Sequence, residues 1–412
     1  MKITSVLILA AWLVVTANLA YAESSPNPND EQMRALKQSV EAAAATYQAA
    51  TNDVGSVLWR AYKQVIATNL PQILELAQKN PAGQTAFEMF SWVAMKGSAE
   101  RGPVFTNRIQ AFAMLAKYHG SNSAVGPLCG FIGHSWVWRW REKPVVDFLQ
   151  AVVVNNPVRA IRAQAIYALG CLDANKSEQL AEFENWSQTP FYAKTVASND
   201  LVELPKFGTS HQAATEAENK FSEIISHYAD CLELRERRNP KDEAQALKEL
   251  AEQNLSTLKR FSLGTVAPDI AAESIKGQKF KLSDSRGRIT VLSFWASWCS
   301  PYMQLVPVER ALSEQMKGRP FALIGVNGDG VLADAQRAVA HEQMTWPSFW
   351  NGKGGSDGPI SSAWNISGWP TVYVLDANGI IRLKFEGYGD VTSNILNGSV
   401  EVLMKELERT QK

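Results

Sequence analysis

A buried strand that leads straight into a helix is the feature that most limits the folds open to this chain. Residues 289–295 read ITVLSFW, a run of β-branched and aromatic residues that predicts a strand covered on both faces. Pro301 suits the first turn of a helix, where its missing N–H is not needed. The pattern therefore predicts a helix over residues 301–317, with Cys299 at its start.

The residues that follow repeat the alternation of strands and helices. The Asn378-Gly379 pair is a hairpin signal between two further strands. We predict strands at 321–327, 371–376 and 380–385, and helices at 332–342 and 392–408. This order describes an α/β sandwich around a mixed sheet, which we assign to residues 263–412.

The preceding part of the chain has a helical rhythm. Apolar residues recur at three- and four-residue steps, for example at Met33, Leu36 and Val40, as they do on one face of a helix. Short breaks such as Asn80-Pro81 and Asn239-Pro240 separate these segments. We predict an all-α domain over residues 23–262, for which a solenoid-like array of stacked helix pairs is one arrangement.

The first 22 residues have the pattern of a signal peptide. Lys2 precedes an apolar run from Val6 to Leu19, which closes on Ala20-Tyr21-Ala22. An uncleaved membrane anchor is the alternative, but the run is shorter than the roughly 20 residues that span a bilayer. We predict cleavage after residue 22 and an exported, periplasmic or extracytoplasmic protein with no stable membrane insertion after cleavage.

Composition excludes several other classes of function. Lys plus Arg and Asp plus Glu number 41 each, so the net charge is zero, and no basic arm points to nucleic acid. The four cysteines are widely spaced and the chain has only five histidines, so we expect no metal site and no cofactor. Buried free thiols are the simplest interpretation of Cys129, Cys171 and Cys231.

Residues 265–390 resemble the TlpA-like branch of the thioredoxin superfamily, a group of exported bacterial thiol–disulfide proteins. The resemblance covers about a third of the chain, and its motifs occur in the right order. They are APDI and GQKFKLSDSRGR, the strand ITVLSFWASWC, Pro307 and Glu309 in the next helix, the strand ALIGVN, and the block WNISGWPTVYVLDANGIIR. The resemblance implies a thioredoxin-like fold, a cis Pro370 opposite the cysteine turn, and protein thiols or disulfides as partners.

Cys299 is the candidate nucleophile. At the N-terminus of a helix, unpaired backbone N–H groups and the helix dipole favour a thiolate. Trp298 stands beside the sulfur in sequence, and with Tyr302, Trp369 and Pro370 it is assigned to a groove for an extended substrate.

The chain departs from the family pattern at the second cysteine. A dithiol site reduces a disulfide in two steps, and the second thiol resolves the mixed disulfide. Tyr302 occupies that position, three residues after Cys299, and cannot resolve it. Ser293 stands where many thioredoxins have a buried carboxylate.

Three functions fit these residues. The first is thiol–disulfide exchange by Cys299 alone, with an external reductant thiol, or with Cys129, Cys171 or Cys231, as the resolving group. The second is a redox-inactive thioredoxin-fold module that binds an extended peptide. The third, a peroxidatic cysteine, is disfavoured because Ala296 and Leu292 stand where peroxiredoxins have threonine and proline.

Overall fold

The computed structural model of the chain describes residues 27–49, 55–96, 103–134, 142–195, 204–234, 244–389 and 392–410. The predicted signal peptide, residues 1–22, lies outside them. The chain divides into two compact units, of which the first ends at Ala165 and the second begins at Ile166. None of the helices in the described ranges is long and apolar enough to cross a bilayer.

The described part of the first unit is helical, as the periodicity predicts. Helices that are close in sequence pack together: Pro28–Gln48 against Gly55–Gln78, Gln84–Lys96 against Pro103–Tyr118, and Pro103–Tyr118 against Lys143–Asn155. Asn156 ties two loops together, because its amide donates to the carbonyls of Gly120 and Asn122 at 3.0 and 2.9 Å. The helices are α1 Pro28–Gln48, α2 Gly55–Gln78, α3 Gln84–Lys96, α4 Pro103–Tyr118, α5 Gly126–Gly133, α6 Lys143–Asn155 and the start of α7, Arg159–Trp186.

The second unit contains the rest of α7, further helices and the sheet domain. Its elements after α7 are α8 Pro190–Thr195, α9 Ser210–His227, α10 Leu247–Arg260, β1 Ala271–Glu273, β2 Lys279–Lys281, β3 Ile289–Trp295, α11 Ser300–Gln315, β4 Phe321–Asn327, α12 Leu332–His341, β5 Ser348–Trp350, α13 Pro359–Ala363, β6 Thr371–Leu375, β7 Ile381–Glu386 and α14 Thr392–Thr410.

Five of these strands form one mixed sheet in the order β5-β4-β3-β6-β7. Strands β3, β4 and β5 are parallel, while β6 and β7 are antiparallel to their neighbours. Strand β3 is therefore central, and all seven of its residues are buried. Side chains alternate between faces, so Val291, Ser293 and Trp295 face one layer, while Leu292 and Phe294 face the other.

The structure has the predicted thioredoxin-like α/β fold preceded by a largely helical region. The strands predicted at 289–295 and 321–327 match β3 and β4, and the predicted hairpin forms β6 and β7. Strand β5 was missed because it has only three residues and forms by pairing with Gly325–Asn327 at the end of β4.

Helix α7 packs on the sheet domain at its outer strand, β7, while α8 packs against α14. The indole N–H of Trp186 donates to the carbonyl of Arg382 at 3.0 Å, and Lys384 lies 3.2 Å from Glu178. These contacts cover an edge strand, whose free backbone groups would otherwise invite another strand. The second unit thus begins at residue 166, whereas the predicted domain boundary lies between residues 262 and 263 and stays a prediction.

We expect Trp186→Phe to lower the free energy of unfolding of the second unit by about 1–2 kcal/mol, because it leaves the Arg382 carbonyl without its donor while keeping a ring in the core. Urea denaturation followed by circular dichroism measures the change. The exposed Trp298→Phe variant is the matched control and should change stability by less than about 0.5 kcal/mol. Equal stability of the two variants would show that α7 contributes little to the sheet domain.

Candidate functional site

Cys299 occupies the turn between the central strand and helix α11. Strand β3 ends at Trp295 and α11 begins at Ser300, so Cys299 is the residue that caps the helix. Its backbone N–H donates to the Ala296 carbonyl at 3.1 Å, which closes the turn. The residue is only 4% exposed, so little of its surface is open to solvent.

The thiol of Cys299 differs from the sequence-based expectation. Burial raises its pKa above the ordinary value, and the nearby Tyr302 backbone N–H opposes this rise only in part. The helix start therefore favours the thiolate as predicted, but the loss of hydration outweighs it. Burial and the helix start therefore act on the pKa of Cys299 in opposite directions.

An aromatic surface borders the cysteine turn. Trp298 is 58% exposed, and its ring centre lies 6.0 Å from that of the half-buried Trp369. The Trp369–Pro370 bond is cis, as the resemblance implies. Gly328 leaves room for the Trp369 indole, because a Cβ atom at position 328 would lie 2.4 Å from the ring. Among the predicted groove residues, Trp298 and Trp369 thus form an accessible apolar face.

Asp329 holds the cysteine turn from the neighbouring strand end. Its carboxylate accepts hydrogen bonds from the backbone N–H of Ser297 at 3.0 Å and from the Ser297 hydroxyl at 2.7 Å. Asn327 donates to the same carboxylate at 2.6 Å. Sequence reasoning missed this residue, although an acidic residue two positions after the end of a buried parallel strand is a recognisable signal for a site at that edge.

Tyr302 is not part of the accessible groove. It is fully buried, its ring stacks on Trp295 at 5.4 Å, and its hydroxyl donates to Glu309 Oε2 at 2.7 Å. Burial, and next the charge of Glu309, raise the pKa of the phenol well above its usual value. Tyr302 is therefore a neutral core residue under the turn, and its assignment to the substrate groove is corrected to this buried position.

Glu309 is a buried acid in the apolar stripe of α11. The stripe contains Tyr302, Leu305, Val306, Glu309 and Leu312, at helical spacing. The hydroxyl of Ser293 on β3 donates to Glu309 Oε1, opposite the bond from Tyr302. Burial raises the pKa of the carboxyl to about 7, and the two hydroxyl donors oppose the rise. No lysine or arginine among the described residues forms an ion pair with it.

Ser293, Tyr302 and Glu309 together form what we call the Glu309 cluster. Many thioredoxins have a buried carboxylate at the strand position that Ser293 occupies here. In this chain Glu309 on the facing helix supplies a buried carboxylate instead, and it accepts a hydrogen bond from Tyr302, the residue in place of the second cysteine. Sequence reasoning recorded Glu309 only as a family match. Its place in an apolar stripe is the signal that could have identified it as a buried acid.

The other three cysteines are free and buried. Burial raises the pKa of Cys171 to about 12, and it also raises that of Cys129. Both are therefore thiols at neutral pH and poor nucleophiles. In the ranges that the structure describes, no group of three or more His, Cys, Asp or Glu residues could hold a metal ion.

Comparisons with known proteins agree with this fold. The model of the AhpC/TSA family matches residues 263–384. A relative described as thioredoxin-like protein YneN, from Bacillus subtilis (strain 168), is 30% identical over 122 residues, which are 29% of this chain and 68% of that protein. A thiol-disulfide oxidoreductase ResA from Geobacillus kaustophilus (strain HTA426) is 26% identical over 126 residues, 31% of this chain and 70% of the relative.

Among solved structures, the thioredoxin domain of a thiol-disulfide oxidoreductase from Bacteroides vulgatus is similar, with 26% identity and a TM-score of 0.31. The similarity covers 34% of this chain and 98% of that one. The family model matches residues 263–384, which contain the five-stranded sheet except for Phe385 and Glu386 at the end of β7. The chain belongs to the AhpC/TSA family of thioredoxin-like proteins, through the sheet domain that carries Cys299.

Proposed function

We propose that the protein performs thiol–disulfide exchange through Cys299 alone, on protein thiols or disulfides. The observation that carries the proposal is the buried Tyr302, which fills the place of a resolving cysteine and is bonded to Glu309. Cys299 keeps its position at the helix start, next to the exposed Trp298, whose ring centre lies 6.0 Å from that of Trp369. The attacking half of the reaction is supported, and the releasing half needs an external thiol.

The reaction has two balanced steps. The Cys299 thiol first loses its proton to solvent, and the thiolate attacks a client disulfide R–S–S–R′. This forms Cys299–S–S–R and releases R′–S⁻. An external thiolate then attacks the R sulfur, forms a new disulfide with R, and returns Cys299 as the thiolate. No net redox change occurs in the chain itself.

The mixed disulfide formed in this way is expected to persist. A leaving thiol departs more slowly as its pKa rises, and burial raises the pKa of Cys299. The buried Tyr302 phenol cannot displace it either. Cys299 is therefore expected to attack a client disulfide slowly and to leave the mixed disulfide slowly. Such a site fits the capture of a client protein better than rapid turnover.

A redox-inactive binding module is the second candidate. The exposed Trp298 and the raised pKa of Cys299 favour it, because an apolar face can hold an extended peptide without any thiol chemistry. A peroxidatic role has less support, because Ala296 and Leu292 are both buried hydrocarbon side chains and supply no hydroxyl beside the sulfur.

We expect one covalent adduct per chain when the protein reacts with a peptide that carries an activated aromatic disulfide. Mass spectrometry of the native protein measures the adduct and its lifetime, and release of the aromatic thiol reports the rate. The adduct should remain for hours without added thiol and should disappear when a small dithiol is added. The Cys299→Ser variant should form none, whereas the buried Cys171→Ser control should react like the wild type.

Two outcomes would contradict the proposal. Absence of any adduct on Cys299, with the peptide still bound, would leave the binding module. Spontaneous loss of the adduct at a rate independent of protein concentration would mean that another cysteine of the same chain resolves it.

Export is a further part of the proposal and rests on the sequence of residues 1–22. The short apolar run and the Ala20-Tyr21-Ala22 end support cleavage by a signal peptidase. An extracytoplasmic location would also suit a cysteine that meets disulfides, which persist in oxidising compartments. The external reductant thiol would then come from the same compartment.

A further inference from the structure

The Glu309 cluster is a buried, titratable group that the exchange reaction does not use. Each oxygen of the carboxylate accepts one hydroxyl hydrogen bond, from Ser293 and from Tyr302. All three residues are fully buried, and in the described part of the chain no cation offsets the charge. An acid in such a place is costly as a mere packing element.

Tyr302 joins this acid to the nucleophile. Its backbone N–H favours the thiolate of Cys299, and its hydroxyl donates to Glu309. One residue thus contacts the sulfur at its backbone and the carboxylate at its side chain. The buried indole of Trp346 also faces the phenol, and its N–H opposes the rise in the pKa of Tyr302.

We propose that Glu309, held by the hydroxyl of Tyr302, is a positioning residue for Cys299, and that it makes the reactivity of the thiol depend on whether the carboxyl is protonated. The inference rests on the proposed function only in taking Cys299 as the reacting group. It concerns the acid on the helix and the tyrosine in place of a cysteine, a pairing that belongs to this chain.

The sign of the effect follows from charge. An ionised Glu309 places a negative charge under the site, and a second negative charge on Cys299 is then less favourable. Ten residues at about 1.5 Å rise per residue place the backbone positions of Cys299 and Glu309 about 15 Å apart along the helix axis, which we take as the scale of the separation between the two charges. At that distance in the protein interior, a unit charge changes the thiolate population by about three- to sixfold.

The groups that face Glu309 set the pH at which this change occurs. The hydroxyls of Ser293 and Tyr302 favour the ionised carboxyl and oppose burial, which leaves its pKa at about 7. Below this pH the acid is neutral and the thiol is easier to ionise. Above it, the reactivity of Cys299 rises less steeply than the titration of a single thiol requires.

The experiment measures the alkylation rate of Cys299 by iodoacetamide in the full chain between pH 5 and pH 10. This range begins below the pKa of Glu309 and extends toward that of Cys299. We expect a wild-type profile with a shoulder near neutral pH. The Glu309→Gln variant keeps the shape of the side chain, should lose the shoulder, and should react about three- to sixfold faster above it. The exposed Glu314→Gln change on the same helix is the matched control and should leave the profile unaltered.

A second variant separates an electrostatic role from a structural one. Tyr302→Phe removes a donor that favours the ionised carboxyl, so the shoulder should move to higher pH. An unchanged shoulder in Glu309→Gln, or a single titration in the wild type, would overturn the inference.

Because iodoacetamide needs no client, the two proposals fail separately. A shoulder without any mixed disulfide would remove the exchange function and keep this inference. Mixed disulfides formed by a protein whose alkylation profile has no shoulder would keep the exchange function and remove this inference.

Discussion

The Tyr302→Cys variant is expected to gain the releasing step and to lose a large part of its stability. A thiol three residues after Cys299 can attack the mixed disulfide, so catalysed insulin reduction should appear where the wild type has none. Removing the ring also leaves a cavity against Trp295, and comparable large-to-small changes in protein cores cost about 3–5 kcal/mol. Insulin turbidity assays and urea denaturation measure the two effects.

The loss of stability has a specific remedy that serves as the control. In Tyr302→Cys, Glu309 retains only the donor from Ser293. The double variant with Glu309→Leu removes the partly bonded acid and adds apolar volume to the stripe, so it should recover part of the stability while it keeps the reductase activity. Efficient turnover by the wild type would contradict this prediction and implicate another cysteine.

The second large effect concerns stability and pH. The pKa of Glu309 is raised from 4.5 to about 7 in the folded protein, so the folded state binds its proton more tightly than the unfolded state. This contribution to stability is fully present below pH 4.5 and is lost as the pH rises through about 7. The shift corresponds to roughly 3 kcal/mol.

Glu309→Gln should remove this dependence, because the amide does not ionise. Urea denaturation at several pH values between 4.5 and 8 should show the wild type falling by roughly 3 kcal/mol relative to the variant. Glu309→Leu also removes the charge but leaves the hydroxyls of Ser293 and Tyr302 unpaired, which costs about 1–3 kcal/mol at every pH. Parallel curves for wild type and Glu309→Gln would refute the assignment of the raised pKa.

Much of the fold was accessible from local pattern. The seven-residue runs that became β3 and β4 are long and apolar, and the Asn378-Gly379 pair marks the β6–β7 hairpin. Strand β5 was not predictable in this way, because three residues carry no period. Its existence depends on pairing with β4, which only the assembled sheet provides.

The candidate site divides in the same manner. The position of Cys299 at a strand-to-helix turn and the absence of a second cysteine follow from spacing alone. The direction of the Cys299 pKa does not, because it depends on how much water the folded chain removes from the sulfur. Likewise, Tyr302 was assigned to a groove from its position after the cysteine, but in the folded chain its side chain is buried in the core against Trp295.

By itself, the sequence determined the thioredoxin-like sheet domain, the helical region before it, and the chemistry that one sulfur can and cannot perform. These rest on periodicity, turn residues and residue identity, which are local properties. Only the tertiary structure decided that Glu309, ten residues beyond Cys299, meets Ser293 from the facing strand and Tyr302 from its own helix. Burial and hydrogen bonding between distant residues set that acid's pKa, and neither is written in any local pattern.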